Sequence, residues 1–323
     1  MALGGHLWTL RPWLAHQLRP LRAPASVPWT TVVHDPELGD VRLRGLLSAP
    51  AGARALVVIV HGLGGDAAAP YAIAAAAAAV RDGLAVLRLN LRGAGHDCDD
   101  FYNAGLTADL RAALASPELA GYPRLFVLGY SLGGHLTLRY GTEGVDPRVR
   151  ALVAVCPPID LDLGAAAFDL PATSIYRRHV LADLKTMYAS VVAHRARRGR
   201  HQARPLPPLA LARRIDRIRT WDDHIIAPRF GFTSAEHYYA ETSVGPRLHR
   251  LAVPALVIAA TDDPMVQDHT TRPWLSRAHP LLDVRWMTTG GHVGFPPTLD
   301  LGLGGETGLD PQILRWMRKV GAS

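Results

Sequence analysis

The sequence predicts an α/β fold: a mostly parallel, eight-stranded sheet flanked by helices, with a helical insertion over one end. Three observations predict it. Short β-branched runs alternate with helical stretches along most of the 323 residues, the rhythm of strands joined by crossover helices. Runs such as ALVVIV at 55–60 are apolar at every position, as strands covered on both faces must be. Between 157 and 253 the rhythm breaks into an Arg-, Ala- and Pro-rich stretch with helical patches and no convincing strand, far too long for a plain connection.

The strands follow in order. WTTVVH at 29–34 and VRLRGLLS at 41–48 alternate apolar with polar and are joined by a short connection, which reads as an antiparallel hairpin at the sheet edge. ALVVIV (55–60), LAVLRLN (84–90), RLFVLG (124–129), RALVAVC (150–156), PALVIAA (254–260) and LDVRWMT (282–288) supply the rest. The division this implies is a core of residues 1–156 and 254–323 and a helical cap of residues 157–253. The alanine-rich YAIAAAAAAV at 71–80 reads as a helix of a water-soluble protein, since it falls well short of the roughly 20 apolar residues a membrane span needs.

Composition narrows the class. A 48% hydrophobic content supports one large core, and a mean hydropathy of +0.06 is that of an ordinary globular protein. Two cysteines, Cys98 and Cys156, build no disulfide framework and fit a reducing compartment. The opening stretch MALGGHLWTLRPWLAHQLRPLRAP lacks a basic start, an uninterrupted apolar region and a small-residue cleavage site, so a secretory signal is rejected and a cytoplasmic location expected. The net charge of +7 comes almost wholly from arginine, Lys185 and Lys319 being the only lysines, which reads as codon usage rather than selection for nucleic acid. The basic run HRARRGRHQAR at 194–204 has no interleaved aromatics and no zinc-finger or helix-turn-helix spacing. It is expected to be a solvated helix face, with transient contact to an anionic membrane surface as a second reading.

The chemistry concentrates around GYSLGG at 129–134. Ser131 lies between a strand and a helix, flanked by Gly129 and Gly133, the context of a nucleophile elbow. The helix start leaves the Leu132 N–H free for a developing oxyanion, and HGLGG at 61–65, directly after the third strand, offers the Leu63 N–H as a second donor. A serine needs a base and an orienting acid, in the order Ser, Asp, His. ATDDPMV ends one late strand and TGGHVGF the next, so Asp263 and His292 complete the set. Asp263 is preferred to Asp262 because a short turn and an apolar residue follow it, and Asp262 is assigned to loop hydrogen bonds. His135 is expected to pack, His61 to brace its own loop, and HDCDDFYN at 96–103 to be a solvated or substrate-facing loop, its spacing matching no standard metal site. No metal or cofactor is expected.

These motifs, with NLRGAG, YNAGLTADL, VCPPIDL, YRRHVLADLK and TWDDHIIAPRFGFTSAEHYYAETS, resemble the YheT-type branch of the α/β-hydrolases, related to eukaryotic ABHD lipases and plant embryogenesis-associated hydrolases. The resemblance runs from GHLWTL at 5–10 to GGHVGF at 290–295, and the insertion motifs discriminate most. It implies the α/β-hydrolase fold, a triad on Ser131, Asp263 and His292, and action on short- to medium-chain acyl esters. Trp8, His135 and RGAGHDCDD depart from the family pattern, which bears on substrate choice. The alternatives are an acyltransferase using the same acyl-enzyme with an alcohol acceptor and, from another class, a non-catalytic ligand-binding protein on this fold. The aromatics Trp221, Phe230, Phe232, Tyr238 and Tyr239 are assigned to the cap core rather than to a lipid surface.

Overall fold

A computed structural model describes residues 3–95, 98–198, 205–277 and 279–321. Its sheet has eight strands: β1 (Val27–Asp35), β2 (Gly39–Ser48), β3 (Ala55–Val60), β4 (Ala85–Asn90), β5 (Arg124–Tyr130), β6 (Val149–Val155), β7 (Ala255–Ala260) and β8 (Leu282–Met287). They lie in the order β1-β2-β4-β3-β5-β6-β7-β8. The expected hairpin is the β1–β2 edge pair, β2 also runs antiparallel to β4, and every other pairing is parallel. Each strand falls within two residues of its predicted position.

Strand β3 explains why its sequence carries no alternation. All six residues are buried, and they divide between two cores: Leu56, Val58 and Val60 join the cluster on one face, Ala55, Val57 and Ile59 the cluster on the other. The helices among the described residues are α1 (Leu3–Leu18), α2 (Pro70–Arg81), α3 (Ala108–Leu114), α4 (Leu132–Gly141), α5 (Leu161–Phe168), α6 (Ser174–Arg198), α7 (Leu209–Arg214), α8 (Ile218–Trp221), α9 (Ala227–Phe230), α10 (Ala235–Thr242), α11 (Asp268–Leu275) and α12 (Leu309–Gly321). In α2, Pro70 suits the first turn, where its missing N–H costs nothing, and Ala72, Ala75, Ala76 and Ala79 let the helix lie close on the sheet. No helix among the described residues is long and apolar enough to cross a membrane.

Between β6 and β7 the described residues contain helices and no strand. Trp221, Tyr238 and Tyr239 are buried there and Phe230 and Phe232 pack against the same cluster, as expected of core aromatics. Two expectations are corrected in part. The start of the basic run is only partly a solvated face: it ends α6 with residues 196–198 exposed, but Arg195 is buried and donates to Asp100 at 2.8 Å, and His194 faces Asp99 at 3.4 Å; residues 199–204 lie outside the described set. Of the two readings of the loop at 96–103, the solvated one fails, while Tyr102 and Asn103 do line the cavity above Ser131. His96 and Asp97 are outside the described residues, but Asp99, Asp100 and Asn103 are buried, and Asp100 is the centre of an ion-pair cluster with Arg92, Arg195 and Arg229. Three arginines supply the compensation that a fully buried carboxylate requires.

Candidate active site

Ser131 occupies the one-residue gap between β5 and α4, at φ 52° and ψ −122°. For an L residue this is a strained conformation, costing about 1–3 kcal/mol, held because strand and helix on either side are both buried. Glycine at 129 and 133 makes the turn possible: a Cβ on Gly129 would collide with the Gly133 carbonyl, and one on Gly133 with the carbonyls of Val60 and His61. In this conformation the Ser131 Oγ lies 2.9 Å from His292 Nε2.

His292 Nδ1 is in turn 2.9 Å from Asp263 Oδ2. The other Asp263 oxygen accepts from the Met265 and Val266 amides at 2.8 and 2.9 Å, so the "DPMV" turn fixes the carboxylate, and both side chains are nearly closed to solvent. Thus the structure brings together the three residues the sequence singled out. Asp262 departs from expectation: it is exposed and its side chain makes no hydrogen bond among the described residues, whereas its carbonyl packs against Gly5.

The loop after β3 is wired so that, among the described residues, the Leu63 amide stays without an acceptor. His61 is buried, its Nδ1 lies 2.8 Å from the Gly62 carbonyl, and its Nε2 accepts from the Leu91 amide at 3.2 Å. Burial lowers its pKa, so it is a neutral brace. The Gly62 amide donates to the Tyr71 hydroxyl at 2.9 Å, Gly64 to the Tyr102 hydroxyl at 2.7 Å, and Gly65 to the Gly62 carbonyl. Among the described residues the Leu63 and Leu132 amides have no acceptor, and both residues line the cavity above Ser131. His135 packs as expected, between the carbonyls of Pro158 and Thr242.

Several contributors were not legible in the sequence. Thr9, on α1, accepts from the His292 amide at 2.8 Å and donates to the Gly5 carbonyl, so α1 holds the histidine loop. Replacing Thr9 by valine removes that acceptor and keeps the volume; kcat should fall about tenfold with KM nearly unchanged, checked by steady-state ester kinetics, because the loss acts on the position of His292. Cys156 is buried at the end of β6, also at positive φ, with its Sγ 3.6 Å from the Gly291 carbonyl. Burial first, and then the Asp263 charge, push its thiol well above the ordinary range. Its sulfur lies with the ligand atoms of Asp263 and His292 within 4.8 Å of one another. Those two groups are already committed to each other, so the arrangement is that of a triad with a protonated thiol beside its acid.

Over the site lies a cavity of about 700 Å³. Its walls are mainly apolar, including Leu161, Phe168, Val180, Leu184, Met187 and Ile226 from the β6–β7 segment. Three aspartates line it, Asp66, Asp183 and Asp222; of these Asp222 starts a turn of π-helix at Asp222–Ile226 and accepts from the Tyr239 hydroxyl at 2.7 Å. Burial raises its pKa to about 7. A folded pKa above the unfolded 3.8 means the folded chain binds the extra proton, so this group's stabilisation falls as pH rises from about 4 to 7. Asp222 keeps part of its surface open to the cavity, which moderates the effect. Asp222→Asn should match wild type near pH 4 and be about 1–2 kcal/mol more stable near pH 8, as measured by urea unfolding at the two pH values.

Comparison with known proteins places the chain in a family. A family model described as the alpha/beta hydrolase fold matches residues 55–293. YheT of Escherichia coli, named as an esterase, is 33% identical over 245 residues, covering 74% of this chain and 70% of that one. A medium-chain fatty acid ethyl ester synthase/esterase of Saccharomyces cerevisiae is 27% identical over 294 residues, 84% of this chain and 63% of that one. A human monoacylglycerol lipase is 29% identical over 220 residues, 62% of this chain and only 47% of its own length. Among solved structures, an esterase of Pyrococcus furiosus superposes with a TM-score of 0.54 at 18% identity, covering 83% of both chains. The alpha/beta hydrolase GrgF of a Penicillium species gives 0.55 at 18%, covering 91% of this chain and 99% of that one. At such identity these two likenesses speak for the fold alone. Family match and sequence identity together go further: the chain belongs to the α/β-hydrolases, in the branch of the YheT-type esterases and lipases.

Proposed function

We propose that the protein hydrolyses carboxylic esters of short to medium acyl chains through an acyl-enzyme on Ser131. The observation that carries this is the chain of contacts Ser131 Oγ, His292 Nε2, His292 Nδ1, Asp263 Oδ2, at 2.9 and 2.9 Å, under an apolar cavity with two unassigned amides at its floor. His292 takes the Ser131 proton as the oxygen attacks the ester carbonyl. The Leu63 and Leu132 amides receive the oxyanion, and Asp263 stabilises the imidazolium. His292 then returns the proton to the departing alkoxide, and water repeats the sequence in reverse roles to release the acid. The helical segment 157–253 serves as the cap that supplies the apolar wall for the acyl chain.

An alcohol in place of water would give acyl transfer from the same intermediate. The yeast relative, named as both synthase and esterase, favours keeping this second reading. The test is hydrolysis of p-nitrophenyl esters from acetate to palmitate, with and without added ethanol. Turnover should peak at a short or medium chain. Ethyl ester accumulating faster than free acid would favour transfer, and absence of any acylation would sink both readings.

A further inference from the structure

Helix α1 is built inside out. Its protein-facing side carries Gly5, Thr9 and Pro12, while Leu7, Leu10, Trp13, Leu14 and Leu18 face water at 61, 38, 48, 49 and 87% exposure. Spacings of three and four residues put these leucines on one helical stripe. A helix that served only to brace the fold would bury them. Two of the five, Leu10 and Trp13, also line the cavity above Ser131, as does Ile175 at the start of α6, 64% exposed. The stripe therefore runs into the mouth of the cavity. His6 Nδ1 lies 2.7 Å from the Tyr176 hydroxyl, joining α1 to α6 at that mouth.

Charge completes the pattern. Arg11, Arg19 and Arg22 accompany the stripe, Arg178 is exposed beside Ile175, and no acidic residue occurs before Asp35. We propose that α1 is an interfacial helix that docks the protein on an anionic lipid surface, with the cavity mouth turned toward the acyl layer. Leucine and tryptophan would enter the headgroup boundary, and the arginines would meet the lipid phosphates. A second copy of the chain is a poorer occupant, because a two-fold contact would bring the arginines of both copies together and close the mouth. The direction of docking rests on the ester-binding role proposed for the cavity; the binding itself does not.

The test is cosedimentation of the full chain with phosphatidylcholine vesicles, with and without phosphatidylglycerol, at low and high salt, beside the molar mass in solution. Wild type should bind the anionic vesicles at least about tenfold better than the neutral ones and lose most of that preference at high salt. The double variant L14S/L18S, whose side chains do not line the cavity, should weaken binding at least about tenfold and keep its turnover of soluble esters. Leu7→Ser provides a second, independent reduction should the double variant fold poorly. No binding to anionic vesicles at low salt, binding that these variants retain, or a dimer that they dissociate would each overturn the proposal. Vesicle binding is read without catalysis, so its failure is separable from failure of the esterase reading.

Discussion

Ser131→Ala should lower kcat/KM for p-nitrophenyl esters by roughly 10⁴-fold or more, leaving the protein folded and its unfolding midpoint within a few degrees of wild type. Alanine keeps the Cβ and hence the strained backbone at φ 52°, so the elbow persists and only the nucleophile is lost. On the proposed mechanism, what remains is catalysis by the cavity and by the Leu63 and Leu132 amides. Ser131→Gly separates the two properties: it should be equally inactive yet about 1 kcal/mol more stable, because glycine adopts this conformation without a Cβ clash. Turnover and urea unfolding of the three proteins decide the matter. If the alanine variant kept wild-type turnover, the nucleophile would lie elsewhere and the contacts of His292 with Ser131 would be structural.

Much of this site was legible because its elements are local in sequence. The Gly-X-Ser-X-Gly turn, the loop after β3 and the "DPMV" turn each declare their geometry within a few residues, and the order Ser, Asp, His fixed the rest. What the sequence withheld is held by contacts between distant segments. Helix α1 breaks the usual inward apolar period, carries Gly4, Gly5 and Pro12, and docks through backbone against Asp262, Gly291 and Gly294. No local pattern announces such a helix, and none reveals Thr9 as the support of His292. Likewise, a run of carboxylates such as DCDD reads as solvated until its arginines are found far away in the chain. The strands were easier, since an all-apolar run of six residues has few places to go but the middle of a sheet.

The largest stability effect should come from Arg92, and the reason is that same long-range cluster. Its side chain is 1% exposed. It donates from Nε and Nη2 to Asp109, at 2.9 and 2.7 Å, and from Nη1 to Asp35 at 2.7 Å, with Asp100 at 3.3 Å. Burial alone would make this guanidinium less basic, but Asp109, then Asp100 and Asp35, outweigh it and hold it charged. Arg92→Met would leave the Asp109 carboxylate fully buried with its main partner gone, a cost of about 3–5 kcal/mol. The unfolding midpoint should drop by about 10 °C. Arg92→Lys keeps a charge but cannot span Asp35 and Asp109 as the planar fork does, so it should fall between. Arg229→Met should be milder. Asp100 would lose bonds of 3.0 and 2.7 Å from α9 yet keep Arg92 and Arg195. That variant is also the informative one for function, because Arg195 and Arg229 are the side chains by which the helical segment grips Asp100 in the loop after β4. Arg229→Met should therefore raise KM for longer acyl esters more than for acetate, the cavity wall being loosened while the triad stays in place. A uniform fall in kcat across all chain lengths would mean instead that the grip supports the triad, and equal stability of Arg92→Met and wild type would show that the buried cluster contributes little.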